Sequence, residues 1–315
     1  MDKNPEFSRS FLQSVGKSLR TDVPLLEHSH FRIGGPADFF FEARTPDDLK
    51  SARRAARGEG ISYYVIGGGN NLLFDDAGFR GLIIKNSCRD MGSCGPEHCL
   101  KAAGGASLGD LVDYSAANNW EGLEFLSGIP GTVGGAVFGN AGAFGQCIGD
   151  VLEEAVLASG ADDERLVPRA YFEFGYRHSR LKIRHDILLE ARFRLRPGRR
   201  EEIRARIEEN LAVRARKHPP QDTACAGSFF KNPPAGPDGT KKAAGFLLER
   251  VGAKDLKVGG AAVYPGHSNF LINANQATAN DVLTLAAELK RRVKETFGIA
   301  LEEEVIFLPA ASSMF

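Results

Sequence analysis

One serine stands between small and aromatic neighbours in the stretch C-A-G-S-F-F-K-N-P, residues 225 to 233. The hydroxyl of Ser228 admits four roles: acyl-enzyme nucleophile, phosphate-loop residue, proton donor, or cap on a turn. The nucleophile role is the weakest, because no G-x-S-x-G elbow surrounds the residue and no His-Asp pair is signalled. Taken alone, a turn-capping hydroxyl is favoured. The choice needs context.

Glycine-rich loops are the second candidate chemistry. The chain has 36 glycines in 315 residues, against an average usage of about 7%. They gather at 67–69, 104–109, 128–145 and 259–260. In VIGGGNNLLF, residues 65–74, glycines follow a β-rich run and could present bare N–H groups to an anion. A Rossmann fingerprint needs a third glycine at position 72, which is Leu72. A P-loop ending in Gly16-Lys17-Ser18 needs glycine at position 11, which is Phe11. Neither standard nucleotide motif is present. The stretch GLEFLSGIPGTVGGAVFGNAGAFG, residues 122–145, carries eight glycines. It is too poor in polar residues for a linker and too rich in glycine for a core helix. It reads as a backbone wall for an extended cofactor, with Thr132 and Asn140 as side-chain donors. A tight-packing loop is the plain alternative, but two such stretches in one chain favour the cofactor.

The elements that must position these groups alternate in type. Thr45-Pro46-Asp47-Asp48 predicts a helix start, running to about Gly58. ISYYVIGGG, GLIIK and CLKAAGG read as strands and SLGDLVDYSAANN as a helix, which argues for α/β or α+β units. Residues 151–197 are strand-rich, most clearly in EEAVLASG and ILLEARFRL. Pro197-Gly198 then breaks the chain before an Arg/Glu helix over about 200–217, with Ile203, Ile207 and Leu211 as its apolar face. Pro219-Pro220 stops it. Beyond lie the helix KAAGFLLERVG, strands near 258–264 and 269–273, and a helix over about 279–297. Thr278 and Asp281 form its capping box, its buried stripe is Val282, Leu285, Leu289, Val293 and Phe297, and Gly298 ends it. LEEEVIFL is the last strand. The main boundary falls near 197, and no internal repeat is visible.

Composition bounds the rest. Hydrophobic residues at 43% and charged residues at 25% predict a packed core. Forty basic residues balance 40 acidic ones, so neither a nucleic-acid track nor an anionic-membrane partner is predicted. Arg192, Arg194, Arg196, Arg199 and Arg200 read as solvated surface. The first twenty residues lack an apolar signal core, and no later run approaches the roughly 20 apolar residues of a membrane helix. A soluble, cytoplasmic protein is expected. Five cysteines, an odd count, fit reduced thiols. The spacing of Cys88, Cys94 and Cys99 is not that of a usual zinc site, and His98 alone does not complete one, so no metal is expected. With no exposed heptad or long apolar edge in view, the expectation is a monomer.

Six motifs appear in order: GGGNNLLF, SGIPGTVGGAVFGNAGAFG, GYRHSRLK, AGSFFKNP, AAGFLLERVGAKDLKVGGAAVYPGHSNFLIN and LEEEVIF. Together they make residues 20–308 resemble the UDP-N-acetylenolpyruvoylglucosamine reductase (MurB) family of bacterial cell-wall synthesis. AGSFFKNP and SGIPGTVGGA are the most specific of them. The resemblance implies an α+β fold, with a two-lobed FAD-binding domain of the vanillyl-alcohol-oxidase (PCMH) type over 20–197. Its lobes would span about 20–90 and 91–197. A smaller α+β substrate-binding domain, 198–315, would follow, its last strand returning toward the flavin. FAD contacts are implied for Gly67, Gly68, Gly69, Asn70, Asn71 and Leu72 in the first loop. In the second they are Gly128, Ile129, Pro130, Gly131, Thr132, Gly134, Gly135, Asn140, Ala141 and Gly142.

The implied reaction reduces an enolpyruvyl ether on UDP-N-acetylglucosamine to the lactyl ether of UDP-N-acetylmuramate. NADPH gives a hydride to FAD, and the flavin N5 gives it to the methylene carbon. Negative charge is left on the α-carbon and its carboxylate, so that charge must be stabilised and the carbon protonated. Ser228 resembles the family's proton donor: a hydroxyl is a weak acid, but a carbanion-like carbon is a strong base. Arg177, in GYRHSR, resembles the active-site arginine, whose guanidinium can hold a carboxylate bidentately. Without that likeness it reads as a strand-edge surface residue. Glu304, directly before Val305, matches the third member and would assist at the enol as a protonated or hydrogen-bonded acid. The run Glu302 to Glu304 would otherwise be a solvated patch, but strand alternation puts Glu304 on the face of Glu302 and not of Glu303. Lys217, Lys231 and Asn232 are the implied contacts to the substrate's diphosphate and neighbouring groups. For Lys217 the plain alternative is dipole complementarity at a helix end.

Two departures stand out. No insertion bearing a site-closing tyrosine follows Arg177, which places the chain with the shorter subclass. His28-Ser29 occupies a position where members commonly show Asn-Thr. Two rival functions remain at this point: a flavin oxidase of the same fold, lacking the Ser-Arg-Glu trio, and a non-catalytic UDP-sugar-binding protein, lacking the flavin.

Overall fold

Phe39, Phe40 and Phe41 lie on the strand Pro36–Ala43 and pair with Leu82, Ile83 and Ile84 of the parallel strand Phe79–Asn86. Successive strand residues face opposite ways, so this aromatic run feeds two cores. Phe39, Phe41, Leu82 and Ile84 pack with Phe7, Phe11 and Leu49 from the helices Pro5–Val15 and Pro46–Gly58. Phe40 and Ile83 join Ile66, Phe74 and Leu308 on the other face. The computed structural model describes residues 4–95, 98–160, 163–236 and 239–311.

This first sheet has the order Arg20–Pro24, Pro36–Ala43, Phe79–Asn86, Tyr63–Ile66, with only the first pair antiparallel. The helix Pro46–Gly58 starts at the predicted capping box of Thr45 and Asp48. The helix Pro5–Val15 is not predicted by the mixed charges of the N-terminal stretch. It forms because Asn4 caps it and Phe7 and Phe11, one turn apart, are both buried.

A second, five-stranded antiparallel sheet runs Asp163–Pro168, Leu152–Ser159, Ile187–Arg194, Cys99–Ala103, Met91–Ser93. Its core closes over the helices Leu108–Ala117 and Val133–Gly139. Four of the surface arginines are ion-paired: Arg192 with Glu154 and Glu190, Arg194 with Glu153, Arg196 with Glu121, and Arg199 with Glu202. The thiol expectation is corrected here. Cys94 and Cys99 form a disulfide, while Cys88, Cys147 and Cys225 are free. Counting cysteines misses this pair because the hairpin of Met91–Ser93 with Cys99–Ala103 brings the two Cα atoms to 5.1 Å.

The third core surrounds the sheet Lys257–Val258, Ala261–Val263, Leu271–Asn273, covered by the helices Ala244–Arg250 and Ala279–Phe297. It also takes in Phe31, Ile33 and Leu73 from the N-terminal part of the chain. The predicted capping box of Thr278 and Asp281 is present, and Asp76 adds bonds to the amides of Ala279 and Asn280 from across the molecule. The helix Arg200–Lys217 keeps only part of its predicted apolar face. Ile203 is buried, but Leu211 is 41% exposed. Ile207 packs against the second core, and polar groups add to the hold: Arg206 to Glu121 and Glu124, Asn210 to the Glu124 carbonyl, and Arg214 to the Gly128 carbonyl. Among the described residues no helix is long and apolar enough to cross a membrane.

Only Ile306–Leu308 of the predicted last strand is regular; it runs parallel to Leu72–Phe74, with Ile306 opposite Leu72. This pairing carries the C-terminal segment back to the first glycine loop.

Candidate active site

The two glycine stretches meet. A Cβ on Gly67 would fall 2.3 Å from the Thr132 hydroxyl, and one on Gly68 would approach the Gly131 Cα at 3.9 Å. Thr132 is spent as the N-cap of Val133–Gly139, its Oγ1 accepting from the Gly135 amide at 3.3 Å. Asn140, in the left-handed conformation at φ 46°, is likewise spent internally. Its Nδ2 donates to the Gly175 carbonyl and its Oδ1 accepts from the Gly149 amide. Leu72 buries its side chain in the core beside Phe74 and Leu308. Asn71 donates to the Glu304 carbonyl at 3.1 Å. These side chains brace the loops, leaving the backbone as the exposed surface.

Glycines at 135 and 139 are different. A Cβ on Gly139 would meet nothing within 4 Å, and one on Gly135 only the Thr132 hydroxyl at 3.5 Å. Glycine inside a helix costs about 0.5–1 kcal/mol relative to alanine, and here packing returns nothing for it. Bare backbone facing open space fits an occupant that must come close. A cleft of about 440 Å³ opens beside Gly68, lined by Leu26, Glu27, His28, Ser29, His30, Arg32 and Lys85. His28 stacks on Phe40 with ring centroids 4.2 Å apart, and burial pushes its pKa down.

Arg177 sits in the tight turn Gly175–His178, whose end residues exchange both backbone hydrogen bonds. Its φ of 53° is left-handed, a strain of order 1–3 kcal/mol for a residue other than glycine. Its Nε lies 2.6 Å from Glu304 Oε1, and its Nη2 donates to the Gly142 carbonyl at 3.2 Å. The Nε–H does not point along the short contact, so this is an ion pair and not an aligned hydrogen bond. Burial raises the Glu304 pKa above the ordinary carboxylate value, while Arg177, Lys182 and Lys231 oppose the rise.

Glu304 is bonded to the serine loop as well. Its amide donates to the Phe229 carbonyl at 2.8 Å, placing Ser228 one residue away. Asn269 fixes that loop, its carbonyl accepting from Phe229 and its amide side chain bonding both backbone groups of Phe230. The Ser228 hydroxyl makes no hydrogen bond to any described residue. Lys231 pairs with Glu302 at 3.1 Å, and Glu303 turns the other way, to Lys290. Asn232 is held on both sides: its backbone amide donates to the Tyr176 hydroxyl and its Oδ1 accepts from the amide of Ala244, the first residue of a helix.

Ser228, Arg177, Glu304, Lys231 and Asn232 therefore form one connected group. Lys217 stands apart from it, exposed at the end of its helix beside His218 and His267. Burial is the main cause that lowers the pKa of both histidines, that of His218 to about 4. Sequence reasoning missed Asn269 and Lys182. Both lie inside the motifs SNF and SRLK, but only the fold shows their targets.

Comparison with known proteins decides the family. Residues 218–308 match the model of the UDP-N-acetylenolpyruvoylglucosamine reductase C-terminal domain, and residues 37–162 match an FAD binding domain. A UDP-N-acetylenolpyruvoylglucosamine reductase from Solibacter usitatus is 40% identical over 306 residues, 92% of this chain and 97% of the relative. The chain belongs to the UDP-N-acetylenolpyruvoylglucosamine reductase family. The reductase of Geotalea uraniireducens is 41% identical over 91% of this chain and 93% of its own length. Among solved structures, the reductase (MurB) of Thermus caldophilus matches with a TM-score of 0.77 at 33% identity. That match covers 92% of this chain and all of the other. The α+β architecture with an FAD-binding domain is thus that of the reductase family.

Proposed function

We propose that the chain reduces UDP-N-acetylglucosamine enolpyruvate to UDP-N-acetylmuramate, using FAD and NADPH, with Ser228, Arg177 and Glu304 as its catalytic residues. One observation supports the assignment of residues: three distant segments converge on the Arg177–Glu304 ion pair, and the Ser228 hydroxyl of the adjoining loop bonds no described residue. Bound FAD supplies the hydride that NADPH provides. The backbone around Gly67–Gly69 and Gly135–Gly139 would hold it, and Arg32 and Lys85 give the cleft beside Gly68 the positive charge that suits a diphosphate.

The chain's own residues handle the charge that hydride addition leaves on the substrate. Arg177 holds the substrate carboxylate, because a guanidinium fixed in place stabilises charge as it grows without reorganising. Glu304, whose pKa burial raises while Arg177 opposes the rise, assists at the same enolate-like group as a protonated or hydrogen-bonded acid. Ser228 gives its proton to the α-carbon. Lys231 and Asn232, next along the serine loop, bind the substrate's polar portion, with Lys217 reaching its diphosphate from the helix end. Residues 20–197 serve as the flavin-binding domain and 198–315 as the substrate domain. The protein works as a cytoplasmic monomer without nucleic-acid partners.

An anaerobic absorbance titration tests this reading. NADPH should bleach the oxidised-flavin band and UDP-N-acetylglucosamine enolpyruvate should restore it. Recovery with oxygen alone would support the oxidase alternative. Protein that holds no flavin after FAD is supplied would refute both.

A further inference from the structure

The strained turn that carries Arg177 is held by a residue outside the Ser-Arg-Glu trio. Arg177 occupies the third position of its turn with φ 53°, where glycine or asparagine is the usual choice. Such a conformation persists only where neighbours hold it. Lys182 Nζ donates to the Arg177 carbonyl at 2.9 Å. The lysine is delivered by a short helix, Leu181–Arg184, anchored through Ser179. Ser179 is fully buried and donates to the Phe138 carbonyl at 2.8 Å, and the Lys182 amide donates back to the Ser179 carbonyl. The Lys182 ammonium also lies 5.5 Å from the Phe138 ring centroid. It is thus turned inward, against the desolvation that opposes its charge. The charged groups acting on Glu304 are Arg177 from the turn, Lys182 from the short helix and Lys231 from the serine loop. Lys231 is itself shared with Glu302.

We propose that Lys182 is a positioning residue: it clamps the Arg177 carbonyl, fixes the turn that aims the guanidinium, and adds positive charge beside Glu304. The proposal rests on the reading of Arg177 and Glu304 given above, so its test includes a readout that needs no turnover.

That readout is the carboxyl titration of Glu304 in FAD-loaded protein, followed by ¹³C NMR with glutamate labelling and assigned with Glu304→Gln. Lys182→Met removes a positive charge that favours ionisation, so the Glu304 midpoint should rise. Lys182→Arg should leave it near the wild-type position. In stopped flow, Lys182→Met should slow reoxidation of the flavin by substrate about 10- to 100-fold, as expected for a misplaced catalytic group. Reduction by NADPH should be unchanged. Added to Arg177→Ala, it should cost much less than in wild type, because residues acting through one another are not additive. If the Met variant fails to hold FAD, Lys182→Gln provides a donor without charge, and the same titration decides. An unmoved Glu304 midpoint in the uncharged variants would overturn the proposal, as would equal losses with and without Arg177. Wild-type protein that fails to reduce the substrate while the midpoint still moves would reject the function and leave the Lys182–Glu304 coupling intact.

Discussion

Asn71 donates through Nδ2 to the main-chain carbonyl of Glu304 at 3.1 Å, across 233 positions of sequence. The Asn71 carbonyl in turn accepts from the Ile306 amide at 3.1 Å, and the Glu304 amide donates to Phe229. The first glycine loop, the glutamate and the serine loop are therefore one bonded unit. A cofactor seated on that loop and a substrate lying over Ser228 would share a single frame.

Replacing Asn71 with leucine tests the frame. The variant keeps the backbone pairing and removes the side-chain donor, leaving a carbonyl short of a partner at a cost of about 1–3 kcal/mol. Reoxidation by substrate should slow about tenfold through displacement of Glu304, while flavin content per protein stays constant. Loss of flavin with an unchanged rate per bound flavin would mean that Asn71 serves the cofactor alone.

How much of this was legible in the sequence depends on distance along the chain. Capping at Thr45 and Thr278 was readable because each box closes within three residues. The glycine stretches were readable as backbone walls because their composition is itself local. The helix Pro5–Val15 was hidden, since two phenylalanines among charges give a thin stripe that matters only once Phe39 and Phe41 are in place. The helix Arg200–Lys217 was legible in part: Ile203 and Ile207 pack inward as their spacing suggested, but Leu211 does not, and arginine and asparagine bonds to residues 121–128 add to the hold. The Cys94–Cys99 bond depended on a hairpin, and the roles of Asn71 and Lys182 on partners that no local pattern names.

Ser228→Ala separates the two halves of the reaction. The hydroxyl holds no other described group, so its removal should leave the fold and NADPH-driven flavin reduction unchanged. Oxidation of the reduced flavin by substrate should slow about 10²-fold or more, the scale of general-acid loss. Equal slowing of both halves in stopped flow would remove Ser228 from the proton-donor role.

Gly139→Ala should separate stability from cofactor binding by sign. The added methyl meets no protein atom within 4 Å, and alanine favours the helix, so thermal stability of the flavin-free protein should rise by about 0.5–1 kcal/mol. If that open space is the flavin's, FAD affinity measured by fluorescence quenching should fall. A variant that gains stability and binds FAD as tightly as wild type would show that the space is not used by the cofactor.

His30 makes a pH-dependent latch between the N-terminal part and the segment leading to Ser228. Its Nδ1 faces the Cys225 carbonyl at 2.8 Å and its Nε2 the Gln221 carbonyl at 2.9 Å. Carbonyls only accept, so both ring nitrogens must carry hydrogen and the ring is an imidazolium. Hydrogen bonding to Cys225 is the main cause that lifts the pKa from 6.5 to about 9. Arg32 reinforces the same junction through the Asp222 carbonyl at 3.1 Å. A folded pKa above the unfolded one gives a contribution fully present below pH 6.5 and lost as pH rises through about 9. His28, His218 and His267 are shifted downward, so their effects fall on the acid side of that window. Denaturant midpoints measured across the window should therefore decline more steeply for wild type than for His30→Gln, with the two curves converging at its alkaline end. Parallel curves would show that the imidazolium contributes nothing to holding the serine segment against the first lobe.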